Sequence, residues 1–384
     1  MALDKQDFVI FLSTIEKFVK EKLIPREEEV VKTNKIPKSI ISEMKNLGIF
    51  GLSIPTEYGG SNLSMLQEVK IAFELGKAAP AFRSIAGTNI GIGSQTIVMS
   101  GTEKQKEKYL PKFATGEIIG SFALTEPDAG SDAMSIQTKA EKIGNKYIIN
   151  GTKRYITNAP MADVFSVMAR TKPEKSSSSI SCFLVDASLN GITIGEPDSK
   201  MGQRGAITSD VIFENCEVSE EALLGNKEGI GFKTAMKVLD RGRLHISAIC
   251  VGLAERLLQE SLNYSTHRKQ FGQPISSFQL IQAMIADSQS DILAAKGLIL
   301  NAALKRDKNE NITLESSCAK LFSSEMLGRI ADRAVQIHGG AGYMSEYPVE
   351  RLYRDARLFR IYEGTSQIQQ LIIARETINN FLKS

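Results

Sequence analysis

The 384-residue chain has 42% apolar and 24% charged residues, which is typical of a globular protein, and its length favours two or three domains. The formal net charge is only +3, which argues against nucleic-acid binding and against a polybasic membrane anchor. The cysteines Cys182, Cys216, Cys250 and Cys318 form no C-x-x-C pair and the three histidines lie far apart in sequence, so we predict neither a disulfide framework nor a metal site.

The first third of the chain is predicted to be helical. Apolar residues recur every three or four positions between Phe8 and Val19, which indicates an amphipathic helix that Pro25 should end. A second helix is predicted over residues 37–47, with Gly48 at its C-terminal cap. Two further helices are predicted in this third, over residues 66–75 and 103–113.

The sequence carries no signal for a membrane span or a targeting peptide. No apolar run approaches the roughly 20 residues that a transmembrane helix needs. The N-terminus contains Asp4 and Asp7 and lacks a basic start followed by an apolar stretch. We therefore expect a cytoplasmic protein without a transmembrane segment.

The middle third changes to β patterning. A hairpin turn is predicted at Asn150-Gly151, because an Asn-Gly pair between β-branched and aromatic residues favours a two-residue turn. Residues 172–179 are expected to form an exposed, mobile loop. Short strands are predicted over residues 164–169, 180–185 and 210–213.

The last third is again helical, with long Ala- and Leu-rich patterns over residues 232–258, 278–305 and 313–336. Strands and helices do not alternate along the chain, which argues against a doubly wound parallel sheet. We predict a mainly α fold with a β insert. Its parts are an N-terminal helical domain (1–118), a middle β domain (119–226) and a C-terminal four-helix bundle (227–384).

Four polar segments are candidates for chemistry, and a fifth, Asp240-Arg-Gly-Arg243 near a helix start, has alternating charges that usually form only a solvated surface. Residues 124–132 combine a proline–glycine turn with free amides and hydroxyls, which suits a phosphate or a polar ring edge but equally an ordinary turn. Residues 266–274 carry basic side chains that suit a pyrophosphate or a solvated helix end. Residues 336–342 place three glycines after a long helix, which suits a helix stop or a close ligand approach. Neither G-x-G-x-x-G after a strand nor a Walker A motif is present.

The fourth segment, residues 360–369, contains Glu363 between apolar neighbours and a glycine. A carboxylate among apolar groups has its charged form disfavoured, so its pKa rises towards the range of a general base. A surface glutamate beside a loop glycine is the alternative interpretation.

In this order along the chain, these segments resemble the motifs of the acyl-CoA dehydrogenase family. The resemblance implies the three-domain fold described above, non-covalent FAD where the domains meet, and a homotetramer (a dimer of dimers) in which each flavin also touches a neighbouring subunit. The matching stretches are Tyr58-Gly-Gly, 124–132, Tyr155-Ile-Thr-Asn158, Met201-Gly-Gln-Arg204, 268–274, 336–342 and 361–369.

By the same resemblance, Glu363 is the catalytic base that removes the proton next to the thioester carbonyl of an acyl-CoA, while the β-hydrogen leaves as a hydride to the flavin. The product is the trans-2-enoyl-CoA, and the electrons pass to an electron-transferring flavoprotein. Some subfamilies carry the base on a helix of the bundle, but the matching residue here is Gly242, which cannot serve. A free glutamate, with a pKa of roughly 4.3, is a weak base towards a C–H bond, so burial and donors at the thioester oxygen must assist it.

The resemblance also implies which residues contact FAD and substrate. In the β domain the FAD contacts are Phe122, Leu124, Thr125, Gly130, Ser131, Tyr155, Ile156 and Thr157. The residues that reach a neighbour's FAD are Arg268, Phe271, Gln279, Gln336, Gly339 and Gly340, and those at its adenosine and pyrophosphate end are Thr365 and Gln367. Contacts to the CoA portion and the thioester are implied for Ser131, Asp240, Arg243 and Gly364. Tyr155 stands where many members have tryptophan, and Gln370 where many have arginine.

Several alternatives remain open at the level of substrate and acceptor. Arg83-Ser84 resembles an Arg-Ser pair of glutaryl-CoA dehydrogenases, in which the arginine meets the far carboxylate of the substrate, although a merely packed arginine fits as well. Acyl chain length and branching are not defined by the sequence. Other candidates are an acyl-CoA oxidase-type enzyme, an enzyme of acyl-carrier-protein thioesters, and a non-catalytic scaffold of this fold.

Overall fold

The computed structural model describes residues 3–383, in which helices precede and follow a block of strands. The N-terminal helices are α1 (Lys5–Phe18), α2 (Glu27–Thr33), α3 (Lys38–Asn46), α4 (Met65–Leu75), α5 (Pro80–Thr88), α6 (Gln95–Ser100) and α7 (Glu103–Thr115). The strands of the middle region are β1 (Gly120–Ala123), β2 (Lys139–Ile143), β3 (Lys146–Thr157), β4 (Val164–Arg170), β5 (Ile180–Asp186), β6 (Ile192–Ile194) and β7 (Thr208–Ser219). A small hairpin, β8 (Lys269–Gln270) and β9 (Gln273–Pro274), lies among the C-terminal helices α8 (Gly231–His267), α9 (Gln279–Asp307), α10 (Thr313–His338), α11 (Pro348–Ala356) and α12 (Ser366–Lys383). This order confirms the predicted fold class.

The prediction that Pro25 ends the first helix is wrong. After α1 the backbone passes through a π-helical turn, Val19–Leu23, and then a 3-10 turn that contains Pro25, and it continues as helix into α2. Pro25 stands at the start of the 3-10 turn, where its missing N–H is not needed. The cap at Gly48 is confirmed, since this residue follows α3 with a left-handed φ of 71°.

The prediction of a hairpin turn at Asn150-Gly151 is also wrong. β3 runs straight through this pair, and the turn between β2 and β3 lies at Gly144-Asn145 instead. The pairing of β3 with β7 shifts register at Gly151, and a Cβ built there would lie 2.5 Å from the Thr138 hydroxyl. Glycine is therefore required for a bulge and a close approach, not for a turn.

The strands of the described middle region form one seven-stranded sheet with the order β1-β4-β2-β3-β7-β6, in which β5 pairs with β4. β4 and β5 confirm two predicted strands, and the third prediction, residues 210–213, lies inside the longer β7. The predicted loop at 172–179 is largely exposed and ends in a 3-10 turn, Ser177–Ser179. The sheet buries its own apolar cluster, which includes Tyr147 and Phe165.

The C-terminal helices pack as a bundle in which α8, α9 and α10 contact one another and α12 lies on α10. α4 packs on α8 and α9, so the N-terminal and C-terminal helices share one continuous apolar core. A further apolar cluster joins α7, β1, β4 and β5 to the start of α8. No described helix is long and apolar enough to span a bilayer. Packed apolar clusters thus border the junction of the three parts.

Candidate active site

A cleft that is open to solvent lies where α5, the β domain, α8 and the loop before α12 meet. It gathers residues that are far apart in sequence and that the sequence analysis had singled out. These lining residues are Arg83, Phe122, Leu124, Thr125, Gly130, Ser131, Tyr155, Ile156, Thr157, Arg243, Glu363 and Gly364.

The turn at residues 124–132 is held by a buried ion pair. Lys153 Nζ lies 2.7 Å from Glu126 Oε1 and donates to the Leu124 carbonyl, and both side chains are almost completely buried. Burial lowers the pKa of Lys153 to about 8. Glu126 also accepts the backbone N–H of Thr138. The turn is therefore a preformed wall of the cleft and not a mobile surface loop.

The neighbouring wall presents an unusual tyrosine. Tyr155 has a left-handed φ of 58° at a register shift in β3, and its ring is 58% exposed towards the cleft, with the Arg154 guanidinium 4.8 Å from the ring centre. Strained backbone of this kind is costly and concentrates at functional sites. The Tyr155 ring, the apolar Ile156, and the hydroxyls of Thr125 and Thr157 fit a flat heteroaromatic ring with a polar edge, so these residues fit the flavin that the resemblance implies.

Glu363 occupies the opposite side of the cleft on a left-handed turn, with φ values of 58° at Glu363 and 88° at Gly364. Its Oε2 atom is buried and has no hydrogen-bond partner among the described residues. A Cβ built at Gly242 on α8 would lie 3.0 Å from this oxygen. The loop position and the helix position that the sequence analysis considered for the base therefore converge on the same volume.

Burial raises the pKa of Glu363, and the positive charges of Arg83, Arg243 and Lys320 oppose that rise. A buried carboxylate with an unpartnered oxygen facing an open cleft is suited to accept a proton from a bound ligand. The surface-glutamate interpretation of this residue is therefore wrong. The carbonyls of Glu363 and Gly364 accept hydrogen bonds from Gln369 Nε2 at 3.1 and 3.2 Å, which fixes the turn from behind.

Arg83 on α5 is partly buried at the wall of the cleft, and within residues 3–383 it pairs with no carboxylate. Its guanidinium donates to Nδ1 of His245 at 2.8 Å, and His245 Nε2 is buried without a partner. Because arginine can only donate, His245 must accept and is neutral, in agreement with a pKa that burial and Arg83 hold well below its usual range. The Arg83–His245 pair faces the cleft, and the role of Arg83 towards a substrate stays a prediction.

A second group of predicted residues lies outside the cleft. Phe271, at the tip of the β8–β9 hairpin, is 93% exposed, and Gly339 and Gly340 are exposed at the end of α10. Arg268 and Gln279 flank the same hairpin, and Gln336 is exposed on the last turn of α10. We call these six residues the hairpin cluster. All six residues are exposed, and none of them lines the cleft of its own chain.

Three further predicted residues do not line the cleft. Asp240 lies behind it, where its carboxylate pairs with Arg243 at 2.6 Å. The Thr365 hydroxyl accepts the backbone N–H of Ile368 and so caps α12, while Gln367 is exposed. Asp240 therefore orients Arg243 within this protomer.

Other cleft residues were missed by the sequence analysis. His245 had been noted only as an isolated histidine and Met236 carried no local signal, whereas Arg241 and Tyr362 lie inside segments that were singled out but were assigned no role. Their common feature is their position on α8 or beside the base. The hydrogen bond between Arg83 of α5 and His245 of α8 joins these two helices at the site.

Family models described as acyl-CoA dehydrogenase N-terminal, middle and C-terminal domains match residues 6–117, 121–216 and 229–378. The chain is 43% identical to "Probable acyl-CoA dehydrogenase YngJ" of Bacillus subtilis, over 95% of this chain and 96% of the relative. It is 42% identical to "Caffeyl-CoA reductase-Etf complex subunit CarC" of Acetobacterium woodii, over 90% and 91%. Butyryl-CoA dehydrogenase of Megasphaera elsdenii superposes with a TM-score of 0.94 at 36% identity, covering 98% of this chain and 100% of that one.

Proposed function

The chain belongs to the FAD-dependent acyl-CoA dehydrogenase family, and from this premise we propose that it catalyses the α,β-dehydrogenation of an acyl-CoA thioester to the trans-2-enoyl-CoA. The observation that carries the proposal is the Glu363 carboxylate, which is buried beside the cleft with one unpartnered oxygen. A non-catalytic scaffold would have no reason to retain such a costly buried group.

Glu363 acts as the general base that takes the proton next to the thioester carbonyl. Entry of the acyl chain displaces water from the cleft, which raises the basicity of Glu363 further. Thr125, Ser131, Tyr155 and Thr157 would hold FAD, which would supply the acceptor for the β-hydrogen and its electron pair. Because the Glu363 turn is fixed by Gln369, the carboxylate meets the substrate without a large rearrangement.

The same residues would serve the reverse direction, in which protonated Glu363 delivers a proton to the α-carbon of a 2-enoyl thioester and reduced FAD would supply the hydride to the β-carbon. This second candidate is favoured by the 42% identity to a subunit named for a caffeyl-CoA reductase. That relative's name also contains an Etf complex, which supports an electron-transferring flavoprotein as the redox partner of this chain. An oxidase-type reaction with oxygen remains the alternative acceptor chemistry.

We further propose that the enzyme is a homotetramer in which the hairpin cluster covers the flavin of a neighbouring subunit. The exposed aromatic ring of Phe271 supports this, as do large exposed apolar side chains nearby, Leu280 (79%) and Tyr343 (83%). Apolar surface of this extent generally marks an interface between subunits. In this arrangement Thr365 and Gln367 contact the adenosine and pyrophosphate end.

Arg83 supports a narrower substrate class. Arg83 is a guanidinium at the cleft wall without a carboxylate partner in the described chain, so it can form a charge-assisted contact with a carboxylate of a ligand. We propose that a glutaryl-type thioester, with a carboxylate at the far end of its acyl chain, is turned over because Arg83 meets that group. Unsubstituted short acyl chains are the comparison substrates.

The function is tested by anaerobic bleaching of the flavin with a panel of acyl-CoA and acyl-carrier thioesters of varied length, branching and terminal charge. Glu363→Gln should bind FAD and remain folded, but bleach more slowly by about 10²–10⁴-fold. Glu310→Gln, at an exposed loop, is the matched control and should behave as the wild type. Rapid bleaching by Glu363→Gln would overturn the assignment of the base, and peroxide formation under air would favour the oxidase-type acceptor.

A further inference from the structure

A buried lysine lies directly behind the catalytic turn. Lys320, on α10, has no exposed surface, and its Nζ donates to the carbonyl of Gly364 at 2.6 Å. Within residues 3–383 no carboxylate lies at ion-pair distance from this ammonium. The nearby Glu325 carboxylate instead pairs with Arg360 and accepts a hydrogen bond from Ser366. The side chain does not line the cleft. Burying an ammonium against a single backbone carbonyl is costly and calls for a reason.

The first consequence is mechanical. Glu363 and Gly364 both adopt left-handed φ values, and at Glu363 this conformation is unfavourable for a residue with a side chain. The turn persists because its two carbonyls are held from behind, that of Gly364 by Lys320 and Gln369, and that of Glu363 by Gln369. Lys320 therefore helps to fix the backbone that aims the base.

The second consequence is electrostatic. The cations that act on Glu363 are Arg83 from α5, Arg243 from α8 and Lys320 from α10. Arg243 is paired with Asp240 at 2.6 Å, and Arg83 faces the cleft, where a ligand can reach it. Lys320 is the one of these three that neither an acid of the described chain nor a bound ligand neutralises. Its positive charge on the Glu363 carboxylate is present with the cleft empty or full.

The other titratable groups around the turn do not supply a compensating charge. The Cys250 thiol on α8 is fully buried and its pKa is raised, so it stays protonated, and the pKa of Tyr362 is raised by burial as well. His245 is neutral. Burial lowers the pKa of Lys320 to about 8, so it still carries its proton at neutral pH.

We propose that Lys320 is a positioning residue for the base: its ammonium anchors the Glu363–Gly364 turn and keeps the Glu363 carboxylate ionised while the cleft loses water. This role rests on the proposed function of Glu363 as the base. It predicts two separable effects, one on the geometry of the turn and one on the pH at which the base becomes active.

Three variants separate the two effects. Lys320→Met removes the donor and the charge, Lys320→Gln keeps an N–H donor without the charge, and Lys320→Arg keeps both. In the pH profile of kcat/KM, the acid limb should move upward by about one pH unit in Lys320→Met and Lys320→Gln, because a nearby opposite charge favours ionisation of a carboxyl. In Lys320→Arg it should stay near the wild-type position. We expect kcat above the limb to fall about tenfold in Lys320→Met and less in Lys320→Gln.

FAD content and melting temperature are measured for each variant, and if Lys320→Met does not fold, Lys320→Gln alone decides the question. An acid limb that stays in place in a folded, neutral variant would overturn the proposal, since a merely structural lysine would lower stability or kcat without moving the limb. Glu363→Gln is assayed in the same series. If Glu363→Gln turns over normally, the proposed base has failed, whereas an inactive Glu363→Gln with an unmoved limb at Lys320 refutes the role of Lys320 alone.

Discussion

The Glu363 turn and the hairpin cluster carry family motifs of similar length, yet their surroundings are opposite. At Glu363 the carboxylate is buried and the turn is held by donors from α10 and α12 of the same chain. In the hairpin cluster Phe271 is 93% exposed, and Gly339 and Gly340 face outward. A single protomer thus supplies every contact that holds the Glu363 turn, whereas its hairpin cluster does not reach its own cleft. A motif identifies a functional segment, but only packing shows whether that segment acts within its own chain or, as we propose, on a neighbour.

The sharpest way to break this contrast is to move the carboxylate within the buried turn. Glu363→Asp keeps the charge but withdraws it by one methylene, and a misplacement of about 1 Å typically costs roughly 10²-fold in rate. We therefore expect kcat to fall about 10²-fold in stopped-flow bleaching, with FAD content and secondary structure unchanged. An aspartate variant that bleaches at the wild-type rate would contradict the claim that the turn is rigidly held.

The corresponding test of the exposed region is Phe271→Ser combined with Arg268→Glu. If the hairpin cluster covers a neighbour's flavin, this pair should weaken FAD retention about tenfold and shift the oligomer to smaller species, read by fluorescence of released flavin and by mass photometry. Ile143→Ser, at an exposed apolar site (58%) on the β2–β3 hairpin of the β domain, is the control and should change neither. Unchanged retention and an unchanged oligomer would mean that the cluster faces solvent.

Arg83 lies in the buried region but is proposed to need a partner from outside the chain. Arg83→Met should lower kcat/KM for glutaryl-CoA at least tenfold more than for butyryl-CoA, because a charge-assisted contact is lost only with the first substrate. Steady-state rates with both thioesters measure this ratio. Equal losses for the two substrates would assign Arg83 a structural role with His245.

The smallest expected effect concerns stability. Because the pKa of Glu363 is raised in the folded chain, the native carboxylate costs stability at pH values above its folded pKa, and the cost disappears as pH falls below the unfolded value of roughly 4.3. Glu363→Gln should therefore melt a few degrees higher than wild type at pH 7–8 and equally at acid pH. A pKa displaced by one unit corresponds to about 1.4 kcal/mol. Thermal melts across pH, with Glu310→Gln as the control, give the result, and a variant that melts lower at neutral pH would contradict it.

Local patterns predicted the fold wherever a segment's periodicity agreed with its final environment. α8, α9 and α10 have long amphipathic patterns, and β4 and β5 are short apolar runs, so they were found. The prediction of a hairpin at Asn150-Gly151 failed because the glycine is required by the close approach of Thr138. That contact is tertiary, and the local sequence does not reveal it. Helix α5, which supplies Arg83, was missed since its glycine and small residues weaken the helical signal.

The same distinction separates the site residues that the sequence predicted from those that it did not. Glu363 was found because its apolar neighbours and its glycine are adjacent in sequence. Lys320 and His245 were not predicted, because their contacts depend on tertiary packing. Lys320 reaches the Gly364 carbonyl beside the base from α10, and His245 reaches Arg83 from α8. Residues that contact a ligand leave short motifs, whereas residues that hold those contacts in place are scattered along the chain.

The close approach of Gly242 to the Glu363 oxygen constrains how this family can diversify. A lineage that transfers its acid from the loop to α8 must pass through an ancestor with both acids or with neither. The first would crowd two carboxylates into one volume, where they would share a single proton, and the second would be inactive. The acid can therefore move to α8 only if Gly242 and Glu363 are substituted together. Descendants of this chain should accordingly inherit Glu363 and Gly242 as a pair.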